Sequence, residues 1–151
     1  MALLHSEWAL GRKPVARPQT AHNTHSQLFV IDVPAGGIES GDILELAVLP
    51  PYAQIIDAAV VGVLITDVGA TVDVGIMTGD VGEKLDASGN ARTSADEIFD
   101  GAALTGIVRL SAPGALLIPA TEKARSIGLK FNAAIVAGTG KKVGLMLHFA
   151  Q

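Results

Sequence analysis

Residues 41–66, GDILELAVLPPYAQIIDAAVVGVLIT, constrain this chain more than any other stretch, because they read as two strands of a buried sheet folded about a double proline. In the first half Leu44, Leu46 and Val48 alternate with Glu45 and Ala47, the period of two that gives a strand one buried face. The second half, residues 55–65, is almost wholly apolar, as expected of a strand covered on both sides in a sandwich core or at a subunit contact. Pro50 and Pro51 cannot donate ladder hydrogen bonds, so the chain must leave the sheet there and turn a corner before the next strand. A sheet protein follows.

A chain of 151 residues supplies one domain and buries roughly two thirds of its unfolded surface without a staple. Charged residues are only 17% of it, against about 25% in ordinary soluble domains, and mean hydropathy is +0.42, so part of the surface is expected to be covered by another protein. The absence of cysteine removes disulfides, thiolate metal sites and cysteine nucleophiles. A net charge of −4 and a pI near 5.4 argue against a nucleic-acid footprint or an attraction to anionic membranes. The longest apolar run is too short to span a bilayer, and the N-terminus lacks an uninterrupted apolar signal region, so the chain is expected in the cytoplasm until assembled or released.

Residues 1–24 differ from the rest. Pro14, Pro18, Arg12, Lys13 and Arg17 occur without a periodic apolar face, which predicts an extended arm, while Leu3, Leu4, Trp8 and Leu10 give it apolar content that free tails lack. Trp8 either docks on another surface or packs on its own domain; both readings stand. From residue 25 the pattern is that of strands. Phe29, Ile31 and Val33 share a face and run into a Pro-Ala-Gly-Gly turn. Residues 71–77 alternate cleanly and are predicted to form a hairpin with 55–65. Residues 78–93 read as a polar surface loop. Ser94 and Glu97 have capping-box spacing and predict one short helix, pinned by Ile98, Phe99 and Leu104. Residues 104–112, 115–120, 126–136 and 142–149 are further strand candidates. About eight strands with short turns and no long amphipathic helices between them predict an all-β, antiparallel sandwich or jelly roll over residues 25–151.

Catalytic patterns are weak throughout. His5, His22, His25 and His148 include no zinc motif, and the first three fall in or beside the arm. The Gly138-Thr-Gly140-Lys141-Lys142 stretch fails as a phosphate loop, since Ile135 stands where its first glycine belongs and Lys142 replaces the hydroxyl residue; a wet tight turn explains it. Asp67, Asp73, Asp80 and Asp86 lack calcium-loop spacing. No serine lies in a nucleophile elbow, Asp96 and Glu97 are accounted for by capping, and one Trp and one Tyr give no stacking platform. No enzyme, metal or cofactor is expected.

Four pieces in fixed order, GDILELAVLP (41–50), TVDVGIMTG (71–79), ADEIFDGAA (95–103) and TGKKVGLMLHF (139–149), give the chain a likeness over roughly residues 25–150. It resembles the small head-decoration, or cement, proteins of tailed bacteriophages. The resemblance implies a β-sandwich or jelly roll without turnover, bound as an oligomer, with a trimer favoured, to the outside of the head, where it clamps major capsid protein subunits. On that footing Leu3, Leu4, Trp8 and Leu10 are the expected arm anchors, and Arg12, Lys13 and Arg17 are expected to pair with acidic capsid surface. A virion surface or fibre-associated module for a host glycan or protein is the alternative, and the low aromatic count speaks against it.

Overall fold

The corner at the double proline separates two layers. The computed structural model describes residues 1–15 and 23–151, so Arg17, Pro18 and His22 lie outside the described residues. Within them run β1 (Leu3–His5), β2 (Thr24–Asp32), β3 (Ile43–Leu49), β4 (Gln54–Val63), β5 (Thr71–Ile76), β6 (Phe99–Ala103), β7 (Ile107–Arg109), β8 (Arg125–Phe131) and β9 (Lys142–Ala150). One sheet has the order β1-β3-β8-β5-β6 and the other β2-β9-β4-β7. Neighbours are antiparallel except β1, which is parallel to β3. The fold is the β-sandwich expected from the alternating pattern.

The core lies between the layers. Val143, Leu145, Leu147 and Phe149 of β9 face Leu44, Val72, Val74, Leu129 and Phe131 of the other sheet, all of them buried. Each such side chain contributes about 1.5–3 kcal/mol relative to exposure, so aliphatic alternation alone suffices to select the two-layer arrangement. Pro50 and Pro51 do carry the chain from β3 in one layer to β4 in the other. There the Pro50 carbonyl accepts from the Ala53 N–H at 3.2 Å and the Thr121 carbonyl from the Tyr52 N–H at 2.8 Å.

Several sequence expectations are corrected. A register shift between Glu45 and Ala47 interrupts β3, so Leu46 and Ala47 both reach the core and Val48 passes to the other face. A bulge does this because it adds one residue to a pattern whose period is two. β4 and β5 do not form a hairpin: they lie in different sheets, joined by residues 64–70, longer than the about two to five residues of a tight hairpin loop. Asp67 fixes that crossover by accepting from Lys141 Nζ at 2.8 Å and from the Val136 N–H at 3.1 Å. The glycine turn before β9 likewise ends a crossover, since β8 and β9 belong to different layers.

The short helix at Ser94 is absent. Ser94 bridges Met77 and gives its hydroxyl to the Gly128 carbonyl at 3.0 Å, while Glu97 Oε1 accepts from the Ile76 N–H at 3.2 Å. Both side chains that could cap a helix are spent on strand neighbours, and residues 95–98 run along β5 into β6. The helical element among the described residues is instead a 3-10 turn at Pro113–Leu117, where a strand was expected, and the strand expected at 104–112 shortens to β7.

Candidate functional site

A two-layer sandwich has two outer faces, and here they are finished differently. On the five-stranded sheet Glu45, Gly128 and Gly75 stand side by side across β3, β8 and β5. A Cβ on Gly75 would lie 2.4 Å from the backbone of Ala95, and one on Gly128 2.7 Å from the Met77 side chain. The segment after β5 can therefore lie flush on this face only because those two positions lack side chains.

That segment brings Arg92 down onto Glu45. Arg92 is buried, with Nη1 2.8 Å from Glu45 Oε1 and 3.0 Å from the Glu83 carbonyl, Nη2 2.6 Å from Ser126 Oγ, and Nε 2.5 Å from the Thr78 carbonyl. Glu45 also accepts from the Gly82 N–H at 3.1 Å and pairs with His5 Nδ1. Burial alone would raise the Glu45 pKa; hydrogen bonds from Ser126, the Gly82 N–H, Arg92 and His5 outweigh it and hold the carboxyl below its ordinary value. A buried ion pair satisfied on every side by the protein has no approach for a substrate, and its chemistry is that of a clasp.

The N-terminal segment extends the same sheet at its edge and contributes His5 to the clasp. β1 lies beside β3, Ser6 Oγ donates to the Leu46 carbonyl at 2.5 Å, and the Ala2 N–H donates to Asp42 Oδ1 at 2.7 Å. Leu3 and Leu4 are half-buried in this strand. Trp8 meets Phe29 edge-on with ring centroids 5.1 Å apart, so it packs on its own domain, and Lys13 Nζ sits 4.8 Å from the Trp8 ring centre. Leu10, Arg12 and Lys13 remain exposed, with Arg12 3.2 Å from Glu7. Between this segment and the corner lies a groove of about 550 Å³ lined by Trp8, Lys13, Pro14, Val48, Pro50 and Pro51, among others.

The outer face of the four-stranded sheet carries no such cover among the described residues. Register places Val30, Gly144, Val61 and Ile107 in one row across β2, β9, β4 and β7, with Leu28, Met146, Ala59 and Arg109 in the next. Leu28 is 49% exposed and Ile107 66%, while Val30, Val61 and Met146 are partly exposed. A Cβ on Gly144 would come within 2.7 Å of the Phe29 carbonyl, so the row dips at its centre. Charges at the margins are matched within the face: Asp32 pairs with Lys142, and Asp57 with Arg109 at 3.7 Å. His148 faces out, as its position in β9 predicts, and lies 2.6 Å from Ser26 Oγ.

The expected arm residues are thus divided. Leu3, Leu4 and Trp8 are engaged by the chain's own body, Leu10, Arg12 and Lys13 face outward, and Arg17 lies outside the described residues. Sequence reasoning missed Arg92, and it left the apolar outer side of 55–65 open between a sandwich core and a subunit contact. Arg92 had a faint signal in Glu45, a lone charge in an otherwise apolar strand that needs a buried cation; the outer face had a plain one in 55–65, which is apolar at positions of both parities.

No family profile and no curated protein matches the sequence. Among solved structures, a chain in the capsid of Ralstonia phage GP4 is 32% identical and superposes with a TM-score of 0.86, the match covering 99% of this chain and 97% of that one. A chain in the capsid asymmetric unit of cyanophage Pam1 is 16% identical with a TM-score of 0.57, covering 93% and 94%, and shares the fold.

Proposed function

This chain belongs to the family of the Ralstonia phage GP4 capsid protein that it matches, and on that premise we propose that it is a decoration, or cement, protein holding neighbouring major capsid protein subunits together from outside the shell. It is a structural virion protein. The observation that carries the finer reading is the contrast between the faces. Among the described residues the fully buried charged pair, Glu45 with Arg92, is sealed as a clasp, while a contiguous apolar sheet face stands open, so what the molecule offers its surroundings is adhesion rather than turnover. It is made in the host cytoplasm, associates with itself, a trimer being favoured, and attaches to the capsid exterior.

Attachment uses the exposed part of the N-terminal segment. Leu10 supplies apolar contact, and Arg12, Lys13 and, further along the sequence, Arg17 supply positive charge toward acidic capsid surface. Individual contacts of this kind are weak. Many copies on a symmetric shell multiply them through effective concentration, which makes retention strong without any single tight site.

The test mixes purified protein with undecorated heads, then measures co-sedimentation and the temperature of head rupture. The reading expects the protein to pellet with heads and raise the rupture temperature; failure on both counts overturns it. Charge reversal by R12E and K13E is preferable to deleting the segment, because deletion would also remove β1 and the His5 contact to Glu45. The reversed variant should fold normally and bind heads more weakly, with a shallower dependence on salt.

A further inference from the structure

We infer that the outer face of the four-stranded sheet is covered in solution by further copies of this same chain, independently of any capsid. The inference names a surface for the self-association proposed above and rests on that reading for the oligomer, not for the capsid contact.

Apolar density is the first argument. Leu28, Val30, Val61, Val63, Ile107 and Met146 form the open surface of four adjacent strands, with Ala59 and Gly144 between them. Interfaces that form late, between partners that also exist apart, are about as polar as ordinary surface, whereas permanent homo-oligomer contacts are enriched in apolar area. A face this apolar must be covered from the time of synthesis, and the partner always present then is another copy. Strand spacing gives a footprint of roughly 30 Å by 14 Å in projection, enough for the apolar centre of a standard contact of roughly 800 Å² per partner.

Charge is the second argument. Asp32 with Lys142 and Asp57 with Arg109 neutralise one another inside the face, leaving no surplus to attract an oppositely charged protein. A neutral apolar surface is complementary to another of its kind. Exposed basic residues by which the chain can address an acidic partner, among them Arg12 and Lys13 on the N-terminal segment and Lys84 in the 77–97 segment, lie off this face.

Leu64 supplies the third. It follows β4 at the rim of the face with φ of 55°, a left-handed backbone that costs a leucine roughly 1–2 kcal/mol, and its side chain is 65% exposed. In the single chain that strain gains little burial. Against a neighbouring copy the side chain becomes an anchor.

Light scattering and sedimentation equilibrium at micromolar concentration test the inference on the full chain. Wild type is expected at two or more times 15.5 kDa and the double variant L28D/I107D at 15.5 kDa, with unchanged circular dichroism, since both side chains are exposed in the single chain. L85D, at an exposed position in the 77–97 segment on the other sheet, is the control and should leave the mass unchanged. Should L28D/I107D not fold, I107K alone should weaken association at least ten-fold. Monomeric wild type, or an oligomer unaffected by the face variants, overturns the inference. Co-sedimentation with heads is scored separately: an oligomer broken by L28D/I107D whose wild type ignores heads would sink the capsid reading and leave this inference standing.

Discussion

The five-stranded sheet carries the 77–97 segment on its outer face and is edged by the N-terminal strand, whereas the outer face of the four-stranded sheet carries no cover among the described residues, although both begin as pleated surfaces of similar extent. The first face is sealed with polar groups that satisfy one another: Glu45 binds Arg92, His5 and the Gly82 amide at once, joining three separate stretches of chain through one carboxylate. The second is left apolar, its charges paired at the margins. The lesson is physical. A buried ion pair adds specificity to a cover the chain supplies itself, while an apolar face keeps its burial energy for a partner.

The largest way to break this comparison is Arg92→Ala, which strands Glu45 as an uncompensated buried charge and should cost about 3–5 kcal/mol in urea unfolding. Replacing both partners, E45L with R92M, should recover most of that loss, because a matched apolar pair carries no desolvation penalty. Next comes Gly128→Ala. Its methyl would press on Met77 and Ser94, lifting the cover, with an expected loss of about 1–3 kcal/mol by thermal melt.

Acid sharpens the comparison at intermediate size. Because the folded-state pKa of Glu45 is lowered, its contribution is fully present above the ordinary value of 4.5 and is lost as pH falls below that and through the folded value. The stability gap between wild type and Glu45→Gln, read from urea titrations, should therefore narrow below pH 4.5; a gap independent of pH would remove the clasp from the account. The smallest effect belongs to the other face. Arg109→Ala breaks an exposed pair with Asp57 and should change unfolding free energy by less than about 1 kcal/mol.

How much of this was legible depended on how locally each feature is specified. β9 and the proline corner were readable because strict alternation and missing donors act within a few residues. The β3 bulge, the crossover at Asp67 and the lost helix at Ser94 were not, because each is decided by a partner far along the chain: β8, Lys141 and Gly128 respectively. Arg92 sits in a polar, glycine-rich stretch that reads as surface, and only its place opposite Glu45 makes it core. Gly75 and Gly128 hinted at close approach without naming what approaches. Trp8 was evenly balanced between two docking partners, and Phe29 of its own sandwich is the one it meets.

The chain's three methionines offer the most direct test of the central claim, since Met77 lies under the sealed face, Met146 on the open one, and Met1 is 74% exposed as an internal reference. Peroxide oxidation followed by mass spectrometry reads each rate separately. The account predicts Met1 fast and Met77 slow in every form of the protein, and Met146 slow in wild type but several-fold faster, between Met77 and Met1, in L28D/I107D. Met146 oxidising at the same rate in wild type and in L28D/I107D, or Met77 as fast as Met1 in any folded form, would contradict it.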